Sequence, residues 1–157
     1  MLQDGDLAPL FDLPSDGGDR LALEAFRGRW VVLYFYPKDD TEGCTIEARE
    51  FSALSREFDS AGVVVIGISP DSPKSHDKFK CKHGLDIRLA SDEEKTAANA
   101  YGVWVEKQMY GRTFMGVERA TFLVSPEGRL ARIWRKVSPK QHAAEVLDAV
   151  RQANTSA

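Results

Sequence analysis

The run Trp30-Val31-Val32-Leu33-Tyr34-Phe35-Tyr36-Pro37-Lys38-Asp39-Asp40-Thr41-Glu42-Gly43-Cys44-Thr45 decides the architecture of this chain. Its first seven residues are a short continuous apolar stretch rich in β-branched and aromatic side chains, which reads as a strand buried on both faces. Pro37 ends the strand, because proline has no backbone N–H to give a ladder. Beyond Cys44, Phe51, Leu54, Phe58 and Ala61 recur at steps of three and four, with Glu50, Arg56 and Glu57 between them. That spacing predicts one amphipathic helix stopped by Gly62. Cys44 then falls in or beside the first helical turn, where unpaired backbone N–H groups and the positive dipole end favour an anion such as a thiolate. A lone cysteine is more often packed as a small hydrophobe, so position by itself leaves both readings open.

Outward from this run, Val63 to Ile68 reads as a second buried strand, and Phe11 to Leu23 as a small hairpin turning at Ser15-Asp16-Gly17-Gly18-Asp19. Ser72-Pro73 has the form of an N-cap followed by proline at the first helical position, opening a largely polar surface helix that runs to His83 and stops at Gly84. Ile87 to Ala90 reads as a short strand and Glu93 to Tyr101 as a helix. Thr121 to Val124 and Leu130 to Trp134 flank a turn at Ser125-Pro126-Glu127-Gly128. A last helix starts at Ser138-Pro139 and carries Ala143, Val146, Leu147 and Val150 along one face, with a frayed tail from Ala153 to Ala157. The order implies an α/β protein, a mixed sheet covered by helices, in one domain over 1–157.

Composition narrows the function. At 157 residues and 17.5 kDa, a domain buries roughly 68 to 70% of its unfolded surface without staples. A net charge of −3 and a pI near 5.6 argue against nucleic acid as a partner. The acidic start, Met1 to Asp6, lacks the order of a signal peptide, and the Trp30 to Tyr36 run is too short to span a bilayer. A cytoplasmic protein without membrane contact is expected. Two cysteines in a reducing compartment are more often redox-active than permanently bridged. His76, His83 and His142 show no metal-ligand spacing with them, and no Gly-rich phosphate loop is present, so neither a metal nor a cofactor is expected.

Pro37, Thr41 and Cys44 form the pattern Pro-x-x-x-Thr-x-x-Cys. A second segment runs Ala100-Tyr101-Gly102-Val103-Trp104-Val105-Glu106-Lys107-Gln108-Met109-Tyr110-Gly111-Arg112, then Gly116-Val117-Glu118-Arg119-Ala120-Thr121-Phe122-Leu123-Val124. Together they resemble the peroxiredoxins, and within them the bacterioferritin-comigratory-protein or Q-type branch, over nearly the whole chain. The resemblance implies a thioredoxin fold with an added N-terminal hairpin, and a thiol-dependent peroxidase acting on hydrogen peroxide and organic hydroperoxides.

A free cysteine at neutral pH is only a few per cent thiolate. Full ionisation therefore raises the reactive fraction by roughly 30-fold at most, offset in part by falling nucleophilicity. The larger contribution must come from donors that hold charge as it develops. By resemblance, Thr41 hydrogen-bonds the peroxide, Arg119 stabilises thiolate and departing oxygen, Pro37 shields the sulfur, and the backbone N–H groups of Gly43 and Cys44 complete the pocket. Singly, each has a plainer role: strand end, helix cap, ion pair. Glu47, on the same helical side as Cys44, could orient Arg119 or accept first-turn donors. Trp104, Tyr110, Phe114 and Met115 could collar the pocket or serve as ordinary core.

Many members of the branch carry a resolving cysteine five positions after the first. Arg49 occupies that position here, which leaves Cys81 as the internal candidate, as in a subset of the branch. The helix C-terminus disfavours a thiolate at Cys81, while Lys78, Lys80 and Lys82 favour it. The expected cycle passes through Cys44 sulfenic acid to a Cys44–Cys81 disulfide, recycled by thioredoxin or a similar dithiol, in a monomer. The alternatives are a one-cysteine peroxidase resolved by an external thiol, and a non-catalytic redox sensor.

Overall fold

The computed structural model describes residues 1–155. In chain order the strands and α-helices are β1 (Asp12–Pro14), β2 (Arg20–Ala22), β3 (Trp30–Phe35), α1 (Glu42–Ala53), α2 (Ser55–Ser60), β4 (Val63–Ser69) and α3 (Pro73–His83). They continue with β5 (Arg88–Ser91), α4 (Thr96–Ala100), β6 (Trp104–Met109), β7 (Arg112–Val117), β8 (Ala120–Val124), β9 (Leu130–Trp134) and α5 (His142–Thr155). The central sheet has the order β5-β4-β3-β8-β9. β3 pairs parallel with β4 and antiparallel with β8, so the sheet is mixed and β3 lies at its centre.

Successive side chains of a strand point to opposite faces, and this divides the core in two. Val31, Leu33 and Phe35 join Val64, Ile66, Ile68, Tyr101 and Phe122 on one face. Val32, Tyr34 and Tyr36 join Cys44, Phe51, Phe58, Phe79 and the α5 residues Ala143, Val146, Leu147 and Val150 on the other. The absence of a side chain at Gly67 is what lets Tyr34 fit. A Cβ there would stand 2.7 Å from the Tyr34 ring and 2.9 Å from Leu89.

Several boundaries differ from the sequence expectations. The cysteine helix is broken at Leu54, whose ψ of 10° separates α1 from α2; the apolar spacing persists across the break, so periodicity does not reveal it. Gly62 follows α2 at φ +75°. The helix expected over Glu93 to Tyr101 shortens to α4, because the Asp92 carboxylate first accepts from the Ala97 and Ala98 N–H groups and so caps it late. α5 begins at His142, after Gln141 at φ +65°, and extends through Thr155, so the chain is helical where the sequence predicts a frayed tail; Ser156 and Ala157 lie outside the described residues. Ser72 caps α3 by accepting from the Ser75 N–H, and Gly84 ends it at φ +59°. That helix is not wholly a surface element, since His76 and Phe79 are buried.

The hairpin β6–β7 lies outside the sequence expectations. Its two-residue turn, Tyr110-Gly111, has φ of +53° and +76°, the backbone of a type I′ turn, but without the Asn-Gly or Asp-Gly pair that usually announces one.

Candidate active site

Strand pairing explains how Arg119 meets a cysteine 75 positions away. β8 runs antiparallel to β3 with Ala120 opposite Phe35, so Arg119 emerges at the carboxyl end of β3. There the chain passes through Pro37 and the loop into α1, which begins at Glu42. The Arg119 guanidinium forks. Nη1 donates to Glu47 Oε1 at 2.7 Å and Nη2 to Cys44 Sγ at 3.3 Å. Cys44 is only 1% exposed, yet it is a hydrogen-bond acceptor from a cation and not simply packed among hydrocarbons.

Glu47 is fully buried. Burial pushes its carboxyl up to about 7, against the opposing pull of Arg119. Burial likewise works against the Arg119 charge, but Glu47 and Cys44 more than offset it and hold the guanidinium pKa above its ordinary value. Of the two roles open to Glu47 from sequence, the geometry shows contact with Arg119. Gly43 lies under the same guanidinium: a Cβ there would meet Arg119 Nη2 and Pro139 Cγ, each at 3.2 Å.

Thr41 occupies the N-cap position of α1 without capping it. Its hydroxyl donates instead to the Lys38 carbonyl at 2.9 Å. The first backbone bond of the helix runs from the Thr45 N–H to the Thr41 carbonyl. Among the described residues the Gly43 and Cys44 N–H groups therefore find no acceptor, and they remain available beside the sulfur. Pro37 is half-buried at the mouth of the same loop.

Two carboxylates without a motif to mark them in the sequence fasten this loop to α3. Asp39 Oδ1 accepts from the Tyr36 hydroxyl at 2.6 Å, while Oδ2 accepts from Ser75 Oγ at 2.8 Å and faces His76 Nδ1 at 2.7 Å. His76 is wholly buried, and its Nε2 lies 3.0 Å from the Ala90 carbonyl, which can only accept. The two ring nitrogens thus bridge the Asp39 carboxylate on the loop before α1 and the Ala90 carbonyl at the end of β5. Asp40, at φ +60°, accepts from Lys82 Nζ at 2.7 Å and faces His83 Nε2 at 2.8 Å. His83 and Lys82 hold its carboxyl below the usual range.

Cys81 is exposed on α3, and neither cysteine is in a disulfide. It opens onto a cavity of about 490 Å³ whose walls include Asp39, Asp40, Ser75 and Phe79. The lysine field expected around it is partly neutralised, since Lys80 pairs with Asp16 and Lys82 with Asp40. Of the four residues that could collar the pocket or serve as core, Trp104 packs against the core and Phe114 is 42% exposed. Tyr110 is 97% exposed at the hairpin tip and Met115 is half-exposed, because the paired strands carry these residues outward.

Among the described residues no cluster of three or more His, Cys, Asp or Glu could hold a metal ion, and no helix is long and apolar enough to cross a membrane.

The AhpC/TSA family model matches residues 5–133. Peroxiredoxin Bcp of Bacillus subtilis is 46% identical over 147 residues, covering 94% of each chain. Among solved structures, a Xanthomonas campestris bacterioferritin comigratory protein described for its alkyl peroxide reduction activity superposes with a TM-score of 0.88 at 46% identity, covering 92% of each chain. A mutant of Xylella fastidiosa PrxQ superposes with a TM-score of 0.93 at 37% identity, covering 98% of each. A thioredoxin-type mixed sheet, a thiol beneath a forked arginine and these likenesses along almost the whole chain lead to one conclusion: the protein belongs to the AhpC/TSA family and is a peroxiredoxin of the Bcp or Q type.

Proposed function

We propose that Cys44 is the thiol that attacks the peroxide and that Cys81 resolves the product. The observation that carries the first half is the Arg119 fork, which ties the sulfur at 3.3 Å to a guanidinium anchored at 2.7 Å on buried Glu47. The thiolate attacks one peroxide oxygen; an S–O bond forms, the O–O bond breaks, and the other oxygen leaves as alkoxide or hydroxide and takes a proton. Sulfur is oxidised to sulfenic acid while the peroxide is reduced to alcohol or water. Arg119 and the Gly43 and Cys44 N–H groups face the charge as it shifts. Thr41 has its own proton committed to the Lys38 carbonyl, so its oxygen accepts from the peroxide O–H, and Pro37 limits water at the sulfur.

Resolution requires movement. A disulfide needs Cα atoms about 4.4 to 6.8 Å apart, and here one cysteine is buried in α1 while the other is exposed on α3. The cavity beside Cys81 is walled by Asp40, four positions before Cys44. Unwinding that short segment gives a reach of up to about 14 Å in extended chain. The Cys81 thiol then displaces water from the sulfenic acid, and a dithiol donor such as thioredoxin reduces the disulfide. Alkyl hydroperoxides are the substrates favoured by the likeness to the Xanthomonas protein. We read the protein as a cytoplasmic monomer.

Peroxide consumption coupled to a thioredoxin system tests the assignment. Cys44→Ser is expected to abolish turnover, whereas Cys81→Ser keeps the first oxidation and loses recycling by thioredoxin. Turnover in Cys44→Ser close to that of the wild type would overturn it.

A further inference from the structure

Glu47, Cys44 as thiolate and Arg119 together carry one more negative than positive charge when Glu47 is ionised, so the forked arginine alone does not balance the site. A second cation stands close by. Residues directly opposite in an antiparallel pair share a face, as do alternate residues along a strand. Lys107 is opposite Phe114, and Val105 is opposite Gly116. The Lys107 stem leans from Phe114 toward Gly116: a Cβ on Gly116 would meet Lys107 Cδ at 3.2 Å and Cε at 3.5 Å. That direction runs along β7 toward its end, from which Glu118 and Arg119 follow. Glycine at 116 thus leaves the path that a half-buried lysine stem needs.

Among the described residues Lys107 makes no hydrogen bond or ion pair of its own. The charged groups that act on it are Arg119 and Glu118, from the link between β7 and β8, and Cys44, from α1. The ammonium is thus held by no hydrogen bond or ion pair, and its stem lies over Gly116 toward the end of β7 that leads into Arg119.

We propose that Lys107 is a second cation of the peroxide site, stabilising negative charge as it passes from Cys44 Sγ to the departing oxygen. The inference rests on Cys44 being the attacking thiolate. Lys107 acts through space on the reacting atoms and supplements the contacts of Arg119. Burial, then Arg119, keep its pKa below the ordinary lysine value, while Cys44 and Glu118 pull the other way. It therefore loses its proton at lower pH than an isolated lysine, and the rate falls on that alkaline limb.

The test is the second-order rate of sulfenic acid formation with tert-butyl hydroperoxide from neutral to strongly alkaline pH. Lys107→Met keeps the stem and removes the charge; it is expected to react about 5- to 10-fold more slowly on the plateau and to lack the alkaline fall. Lys107→Arg should recover most of the rate and extend the plateau upward. Gly116→Val, which blocks the path but keeps the lysine, should slow the reaction in the same sense. Wild-type rates and an unchanged alkaline fall in Lys107→Met would overturn the inference, as would a slower Lys107→Met that Lys107→Arg does not rescue. Cys44→Ser in parallel separates the two claims. Its expected inactivity leaves the role of Lys107 to be decided by the Lys107 variants, and activity in it would overturn the inference together with its basis.

Discussion

Arg119 meets a buried carboxyl group and a sulfur with one rigid fork, and its effect depends on both arms staying in register. Lysine has no such fork. Arg119→Ala is therefore expected to lower the second-order rate with peroxide by roughly 10²-fold or more, with Arg119→Lys recovering little of it. The stopped-flow measurement should be made at a pH where Cys44 is fully ionised, so that a persisting loss reports charge stabilisation during reaction; a loss that vanished there would reduce Arg119 to tuning the thiol. Glu47 carries a thermodynamic signature of its own. Its carboxyl rises from 4.5 to about 7 on folding because it is buried. Below the lower value both states hold the proton; between the two values the folded state holds it and the unfolded state has released it. Raising the pH through this window thus destabilises the fold, by about 3 kcal/mol for this group alone. Urea unfolding of wild type against Glu47→Gln should show wild type losing ground as pH rises from about 4.5 to 7, and a flat difference would contradict the burial argument.

Residues of the site are legible in the sequence to different depths. Pro37, Thr41 and Cys44 stand out through a pattern whose spacing is short and whose chemistry is specific, while Arg119 is marked only by the resemblance of the second segment. The direction of the Thr41 hydroxyl is not legible, because a threonine at an N-cap position ordinarily bonds its own helix. Asp39 and His76 are hidden for another reason. Each looks like an ordinary polar residue of a loop or a surface helix, and only the packing of α3 on the sheet buries them against one another.

At the scale of elements, the loop before α1 and the helix α3 form one mechanical unit, joined at Asp39 through Ser75 and His76 and at Asp40 through Lys82 and His83. The buried join should hold while the exposed one opens, since exposed ion pairs contribute little. Disulfide formation should therefore loosen chain ends near the cysteines: hydrogen exchange is expected to quicken within 40–50 or 75–85 on oxidation. Unchanged protection in both segments would contradict the proposed movement. A second element-scale test lies in β4. Gly67→Ala should destabilise the protein by about 1 to 3 kcal/mol in chemical denaturation, because the added methyl meets the buried Tyr34 ring. A neutral effect would mean that β3 and β4 are looser than their packing implies. The strands β3, β4, β8 and β9 are readable because buried β runs and a Ser-Pro-Glu-Gly turn are strong local signals. The β6–β7 hairpin is not, since its turn is Tyr-Gly and its side chains mix charges with apolar groups on both faces.

Across the whole molecule, the mixed sheet sets the carboxyl end of β3 and the start of β8 side by side, and this places a thiol and an arginine in contact despite their separation in sequence. A disulfide between Cys44 and Cys81 would close a 37-position loop, worth roughly 3 to 4 kcal/mol against the unfolded chain if the effect is purely one of chain entropy. Turns unwound in the oxidised form offset part of that, so its measured global stability should rise by less. Which sulfur is oxidised, and which one resolves it, is the central question for this protein. Intact-mass spectrometry with peptide mapping after one equivalent of peroxide, on wild type and Cys81→Ser, reads both at once. Wild type is expected to lose two hydrogens and gain no oxygen, with Cys44 and Cys81 joined, while Cys81→Ser gains oxygen at Cys44. Wild-type protein that accumulates oxygen on Cys44 with Cys81 still free would contradict this mechanism.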